Sequence, residues 1–132
     1  MSANLDLVRS IYANFERGDF KSVEWADPEI EYVTHGVTTT TGRGHEGMLE
    51  EFRDWIRVWS DWAVKADDYV VLDANRILVL FEQSARMKAS GADAERVRFR
   101  GATLFDVRND LITRIVQYMD RDRALADLGL EK

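Results

Sequence analysis

Apolar and polar residues alternate with a period of two through the second half of this chain. The alternation covers four segments, AVKADDYVVL from Ala63, RILVLFEQSARMK from Arg76, ERVRFRGATLFDV from Glu95 and LITRIVQYM from Leu111. Alternation of this length is typical of strands that bury one face. The turn-forming segments DAN, SGAD and ND separate the four from one another. The sequence therefore predicts four antiparallel strands that follow one another in the chain.

The first residues have helical periodicity instead. Apolar residues recur there at three- and four-residue spacing, at Leu5, Val8, Tyr12 and Phe15. This spacing predicts an amphipathic helix over Asn4 to Arg17, which Gly18 is placed to end.

A short second helix is predicted after Asp19, which is a suitable N-cap, with Phe20 and Val23 turned toward the core. It must end before Pro28, because the residue that precedes a proline avoids the helical region. The segment PEIEYVT that follows is predicted to form a first strand.

A third helix is predicted from about His45 to about Ser60, with an apolar stripe made of Met48, Phe52, Trp55 and Trp59. The segment DRDRALADLGL predicts a closing helix, with Asp120 as N-cap and Gly129 at its C-terminal end. Helices that come first and strands that come last favour an α+β fold, in which helices pack on one face of a curved antiparallel sheet.

Composition limits the class of protein. With 132 residues, of which 45% are hydrophobic, the chain is predicted to form a single domain over residues 1–132. A net charge of −6 argues against nucleic acid as a partner, because phosphate binding needs a clustered positive field. No apolar run predicts a membrane span, and MSANLDLVRS lacks the pattern of a signal peptide, so a cytoplasmic protein with no membrane partner is expected. The absence of cysteine excludes disulfides and thiolate metal sites.

Three motifs resemble the SnoaL-like proteins of the nuclear transport factor 2-like superfamily, which are relatives of polyketide cyclases and ketosteroid isomerases. They are IYANFERGDF before an Asp-Pro and a strand, GRGHEGMLEEFRDW at the long helix, and RFRGATLFDVRNDLITRIVQYMDRDRALADLGL at the end. The resemblance implies a cone-shaped sheet that wraps around the N-terminal helices and leaves an apolar cavity open at one end. It implies no single activity, because the superfamily includes isomerases, cyclases, dehydratases, epoxide hydrolases and proteins that only bind.

The catalytic residues of the ketosteroid isomerases are missing from this chain. By the resemblance, their catalytic tyrosine falls at Ile11, their base aspartate near Val33 and their proton-donating aspartate at Thr103. The Asp-Arg-Asp arrangement of the epoxide hydrolases has no clear match either. Steroid isomerisation by that mechanism is therefore not expected.

The stretch THGVTTTTGRGHEG contains both histidines of the chain. His35 ends the first strand at the depth where the family places its working residues. It is a candidate general base, against the alternative of a hydrogen-bonded histidine at a strand end. His45 begins a helix, where it is expected to cap exposed amides. Because Glu31 and Glu46 have no recognisable metal spacing, we expect no metal, and nothing points to an organic cofactor.

The resemblance also implies which strand parity faces the cavity. It turns inward Phe81 and Gln83 on one strand, Phe99 and Thr103 on the next, and Gln117 and Met119 on the last. Gln83, Thr103 and Gln117 would then form a polar cluster that donates hydrogen bonds to a ligand oxygen. The alternatives are a polar ladder that satisfies itself, or a bulge that turns charged residues inward instead, namely Glu82, Arg98, Arg100 and Arg114.

Aromatic side chains are the expected walls of that cavity, namely Tyr12, Tyr32, Trp55 and Trp59. Without a bulge, Glu82 and the three arginines lie on the outer sheet face, where cross-strand ion pairs are common. This superfamily often dimerises through that face, so the resemblance implies a homodimer.

The loop from Thr38 to Arg43 has few apolar anchors and is predicted to be a mobile flap over the cavity mouth, with His35 beneath it. Two functions remain open. One is a cofactor-free enzyme of the isomerase, cyclase or hydrolase type, which acts on a small ring compound by acid–base chemistry. The other is a non-catalytic module that holds a small hydrophobic molecule or only dimerises.

Overall fold

The computed structural model describes residues 3–19, 22–36, 38–57, 59–87 and 96–130, with the backbone alone for 55–56, 59–61, 87 and 96. Within these ranges the chain forms three helices and six strands. In chain order they are α1 (Ala3–Glu16), β1 (Ala26–His35), β2 (Thr39–Arg43), α2 (Gly44–Arg57), β3 (Trp59–Val71), β4 (Arg76–Met87), β5 (Arg96–Arg108), β6 (Leu111–Tyr118) and α3 (Arg121–Asp127). The predicted α+β class is confirmed.

The strands form one curved sheet in the order β2-β1-β6-β5-β4-β3. Neighbouring strands are antiparallel, apart from β1 and β6, which run parallel. Shifts of register occur in β1, twice in β3, and between β5 and β6. Such irregularities bend a sheet, which lets it wrap around the helices on one side.

The turn between β5 and β6 lies where the sequence places it. Asn109 and Asp110 have φ angles of 53° and 64°, so both central residues adopt the left-handed conformation of a tight hairpin turn. Asparagine and aspartate tolerate this conformation better than other residues with side chains. The register of the last hairpin, which carries several pocket residues, is therefore fixed locally.

The first helix is confirmed, because α1 covers Ala3–Glu16 and buries Val8, Ile11 and Tyr12. The short helix predicted after Asp19 is wrong where the chain is described, since 22–25 are not helical. Phe20 lies outside the described residues. The strand begins early, at Ala26, because the residue before Pro28 favours an extended backbone and Trp25 is drawn into the core.

The boundary between α2 and β3 differs from the prediction. The helix ends at Arg57, and Trp59 begins β3 four residues before the predicted strand start at Ala63. The backbone of Trp59 pairs with that of Met87, so the strand continues along the full length of β4. Periodicity alone extends the helix stripe to Trp59, whereas pairing with β4 makes this segment a strand.

The predicted flap also proves to be regular structure. Thr39–Arg43 is the edge strand β2, which pairs antiparallel with β1 from Thr39 opposite His35 to Arg43 opposite Glu31. A run of β-branched threonines suits a strand. The expectation of an unpaired loop is therefore wrong, because β1 offers this segment a complete set of backbone partners.

The two faces of the sheet bury different clusters. The inner face packs against α1 and α2 through a core that includes Val8, Met48, Val79, Phe81 and Phe105. The outer face packs against α3 through Leu78, Leu104, Val116 and Ala124, among others. The closing helix has its predicted N-cap, since the Asp120 carboxylate accepts from the Asp122 amide at 3.1 Å. The sequence predicted that the helices pack on one face of the sheet, whereas α3 packs on the outer face.

Candidate functional site

A pocket of about 260 Å³ lies between the inner face and the helices α1 and α2. Its lining comprises Tyr12, Phe15, Tyr32, Thr34, Thr40, Glu51, Phe52, Asp54, Trp62, Val64, Gln83, Gln117 and Met119. Most of these side chains are aromatic or aliphatic. The polar ones are Gln83 on β4, Thr34 and Gln117 on the paired strands β1 and β6, and Thr40, Glu51 and Asp54 at the edge formed by β2 and α2.

The predicted parity of the last three strands is correct. Gln83, Gln117 and Met119 line the pocket. Phe81 and Thr103 are buried on the same face, and Phe99 packs against the inner core. The bulge alternative is therefore wrong, and the charged side chains of β4 and β5 lie outside.

A short chain of hydroxyl and amide groups runs from α1 across the last hairpin. Thr103 lies directly opposite Gln117, and its hydroxyl donates to Gln117 Oε1 at 2.6 Å. The Tyr12 hydroxyl lies 3.4 Å from Thr103 Oγ1. Because the Thr103 proton is directed to Gln117, Tyr12 is the donor in its contact with Thr103. This series of hydrogen bonds engages the amide oxygen of Gln117 and leaves its NH2 group available.

Gln83 forms a separate pair with Trp62, whose indole Nε1 donates to Gln83 Oε1 at 3.0 Å. An indole nitrogen only donates, so the oxygen of the amide must face it and the NH2 group must point elsewhere. Of the predicted three-residue cluster, Thr103 and Gln117 meet, whereas Gln83 lies apart from them. Thr103 is opposite Val79, whereas Gln83 is opposite Phe99, which separates the two polar groups by four residues along the sheet.

Tyr12 and Tyr32 remain neutral phenols in this pocket. Burial raises the pKa of Tyr12 well above its usual value, against a smaller opposing effect from its hydrogen bond to Thr103. Burial also raises the pKa of Tyr32, and the nearby Glu51 carboxylate adds to the shift. Both hydroxyls can therefore donate hydrogen bonds, and neither is available as a phenolate base.

The sequence pattern did not identify two carboxylates at the edge of the pocket. Glu51 and Asp54 belong to α2 and line the pocket, while Thr40 of β2 donates to Glu51 Oε1 at 2.6 Å. The apolar stripe draws attention to Met48 and Phe52 and hides the residues beside it. The missed signal is that Glu51 lies three residues after Met48, on nearly the same face of the helix.

His35 does not lie in the pocket. Tyr32 and Thr34 line it, so the odd-numbered His35 of the same strand faces the other side of the sheet. There its ring lies 5.2 Å from that of Tyr118, and Nδ1 is 3.1 Å from Thr39 Oγ1. The predicted position of His35 in the pocket beneath a flap is therefore wrong, because the strand turns this side chain to the outer face. A general base must reach the ligand, and His35 does not line the pocket.

His45 has a structural contact other than the one expected. Its Nε2 lies 2.8 Å from the carbonyl oxygen of Ala26, so it ties the start of α2 to β1 instead of capping the helix amides. The side chains of Trp55 and Trp59 lie outside the described residues, so their predicted wall positions stay predictions. Trp62, which the sequence pattern did not single out, is the tryptophan in the described lining.

The outer face carries the ion pairs expected there. Arg114 Nε lies 3.0 Å from Glu31 Oε1, and Arg100 Nε lies 3.9 Å from Glu82 Oε2. The apolar part of this face is covered by α3. The homodimer through the outer face stays a prediction. In the described ranges, no group of His, Asp and Glu is arranged to hold a metal ion, and no helix is long and apolar enough to cross a membrane.

Comparison with known proteins identifies the family. The profile of the SnoaL-like domain matches residues 8–115. The chain belongs to the SnoaL-like domain family. No curated protein matches the sequence.

Solved structures of similar proteins share the nuclear transport factor 2-like fold of this SnoaL-like domain. TerC, co-crystallized with polyporic acid, is 18% identical with a TM-score of 0.75, and the match covers 98% of both chains. A ketosteroid isomerase-fold protein from Catenulispora acidiphila, in complex with trimethylamine, is 17% identical with a TM-score of 0.72, over 98% of this chain and 95% of the other. A candidate polyketide cyclase from Xanthomonas campestris is 19% identical with a TM-score of 0.70, over 93% and 94%. At these identities the likeness establishes the fold alone.

Proposed function

We propose that this SnoaL-like domain binds a small, largely apolar ring compound that carries a carbonyl or similar oxygen acceptor. The observation that carries the proposal is that two carboxamides, those of Gln83 and Gln117, line the pocket. Gln83 and Gln117 each use the amide oxygen within the protein, toward Trp62 and Thr103. Their NH2 groups have no such partner within the described residues, and donors in an apolar pocket fix the orientation of a ligand acceptor.

The burial of Gln83 strengthens the argument. Its side chain is only 2% exposed, yet it lines the pocket. An amide donor that faces a mostly apolar pocket has few acceptors there. A ligand oxygen beside Gln83 would supply one.

The size of the pocket suits a substituted ring. An apolar cavity of about 150 Å³ accommodates benzene, whereas this pocket measures about 260 Å³. Structures of similar proteins with polyporic acid and with trimethylamine support a small-molecule function for the fold. They support no particular ligand for this chain.

A catalytic function is the second candidate, and Glu51 favours it. This carboxylate lines the same pocket as the two amide groups. A carboxylate base and hydrogen-bond donors in one pocket can move a proton from carbon while the donors stabilise the oxygen that gains charge. Turnover of a bound ring ketone that disappears in Glu51→Gln, with binding retained, would support an enzyme.

The binding proposal is tested with two matched probes, 1-tetralone and its hydrocarbon analogue tetralin, by titration calorimetry. We expect the ketone to bind about tenfold more tightly than the hydrocarbon, since a net hydrogen bond contributes roughly 0.5–1.5 kcal/mol. Gln83→Met should remove most of this preference and leave the tetralin affinity unchanged within about twofold.

The control is Glu82→Gln, on the adjacent residue of β4 but on the outer face. It should leave both affinities unchanged. Equal affinity of the wild-type protein for ketone and hydrocarbon would contradict the proposed acceptor site, and failure of both probes to bind would contradict the proposed function as a whole.

A further inference from the structure

The edge of the pocket carries a negative charge that its lining does not balance. Glu51 and Asp54 both line it, and the described lining residues include no lysine, arginine or histidine. Asp54 has a cationic neighbour in Arg57, at 3.9 Å, but the side chains of this ion pair are 75% and 65% exposed. Arg43 of β2 lies on the outer face, 4.0 Å from Glu31. Glu51 therefore faces the pocket without a cationic partner among the described residues.

The position of Glu51 is fixed by close packing of β2 on α2. A side chain at Gly42 would place its Cβ 2.8 Å from the carbonyl oxygen of Gly47 and 3.3 Å from Glu51 Cγ. The two glycines therefore let the strand approach the helix, and Thr40 then reaches Glu51 with a 2.6 Å hydrogen bond. This bond engages Oε1 and leaves Oε2 for another partner.

Aromatic rings line the same pocket as the two carboxylates. The Tyr32 and Phe52 rings are perpendicular with centroids 5.2 Å apart, and the Phe15 and Phe52 rings meet at 78° with centroids 5.7 Å apart. The faces of aromatic rings attract cations, and quaternary ammonium groups are bound in this way when they are removed from water.

We propose that the pocket selects a cationic ligand, an apolar ring compound that bears a quaternary or protonated amine placed at Glu51 and the rings beside it. The proposal rests on the proposed function and adds the charge of the ligand to it. An ammonium group at this edge gains both the Coulombic attraction of the carboxylate and the attraction of the ring faces. The oxygen acceptor, where the ligand has one, lies beside a carboxamide on the sheet, Gln83 or Gln117.

The test uses three probes of similar shape and different charge, namely benzyltrimethylammonium, neopentylbenzene and benzylsulfonate. Their affinities are measured by titration calorimetry in low salt and in 0.5 M salt. We expect the cation to bind about tenfold more tightly than the neutral probe, the anion to bind more weakly than both, and the advantage of the cation to shrink in high salt.

The variants separate charge from shape. Glu51→Gln should reduce the affinity for the cation about tenfold and leave the neutral probe unchanged within about twofold. Glu50→Gln is the matched control, since it removes the same charge from an exposed neighbour on α2 that does not line the pocket. Glu51→Lys should reverse the preference toward benzylsulfonate, and circular dichroism verifies that each variant is folded.

Two results distinguish the possible failures. If the cation binds no more tightly than neopentylbenzene, and Glu51→Gln changes neither affinity, the charge proposal is overturned while the binding function stands. If no charged or neutral probe binds and 1-tetralone also fails to bind, the proposed function itself is wrong.

Discussion

The two faces of one sheet have opposite chemistry in this protein. The inner face carries aromatic rings, two glutamines and a threonine, and it borders the pocket. The outer face carries an aliphatic patch under α3 and charged side chains in ion pairs, with His35 against Tyr118 at its edge. Every strand contributes to both faces because successive side chains point in opposite directions. Strand parity therefore decides whether a residue can reach the pocket. An error of one residue in the parity moves a candidate from the pocket to the outer face.

The largest expected effect comes from a methyl group added to the inner face. A Cβ at Gly101 would meet the carbonyl oxygen of Tyr118 and lie 2.5 Å from Phe81 Cζ, so neither backbone nor ring can yield easily. Gly101→Ala should reduce the free energy of unfolding by about 3 kcal/mol, which urea titration measures.

The matched control is Arg98→Ala, which lies on the exposed outer side of the same strand and should change the free energy of unfolding by less than about 0.5 kcal/mol. Equal effects of the two substitutions would contradict the claim that the inner face is packed more tightly than the outer face.

An alkaline titration tests how completely the inner face buries its tyrosines. Burial holds the pKa values of Tyr12 and Tyr32 above their usual value, so above about pH 10 the unfolded chain loses protons that the folded chain keeps. Stability should be unaffected below pH 10 and fall above it, by up to about 1.4 kcal/mol per pH unit for each tyrosine.

Urea unfolding between pH 8 and 11 measures this slope. Tyr32→Phe should flatten it without disturbing the Tyr12–Thr103 contact. Tyr12→Phe should flatten it too and cost about 1 kcal/mol at neutral pH through the lost hydrogen bond. A wild-type slope in both variants would show that these phenols ionise freely and that the inner face is wetter than the packing indicates.

The smallest expected effect is at His35. Because its side chain lies on the outer face, His35→Ala should leave the affinities for 1-tetralone and benzyltrimethylammonium unchanged within about twofold. A tenfold loss of either affinity would place the imidazole in contact with the ligand and would break the comparison between the faces.

Local signals in the sequence predicted most of the fold. The alternation that marks β4 to β6 divided each strand into two faces, because a regular strand carries its period along its length. The family resemblance then indicated correctly that Gln83, Thr103 and Gln117 lie on the inner face. Asn109 and Asp110 identified their turn because few residues accept positive φ, and Asp120 identified its cap because its carboxylate satisfies a helix amide.

The errors arose in segments whose structure depends on pairing with a strand that is distant in the sequence. The threonine run and the segment that begins at Trp59 form strands because the edges of β1 and β4 are open to pair with them. The carboxylate edge was hidden for the same reason, since Glu51 approaches the pocket only once β2 packs against α2 through Gly42 and Gly47.

The sequence by itself determined the fold class, because periodicity and turn chemistry act over neighbouring residues. The resemblance of its motifs to a known family indicated the family and the polar groups on the inner strands. The tertiary structure alone decided that Gln83 pairs with Trp62, that Tyr12 and Thr103 lead to Gln117, and that His35 lies outside. These facts depend on register and on contacts between residues up to 91 positions apart in the chain. Such contacts form only when distant segments share one core, so no local pattern encodes them.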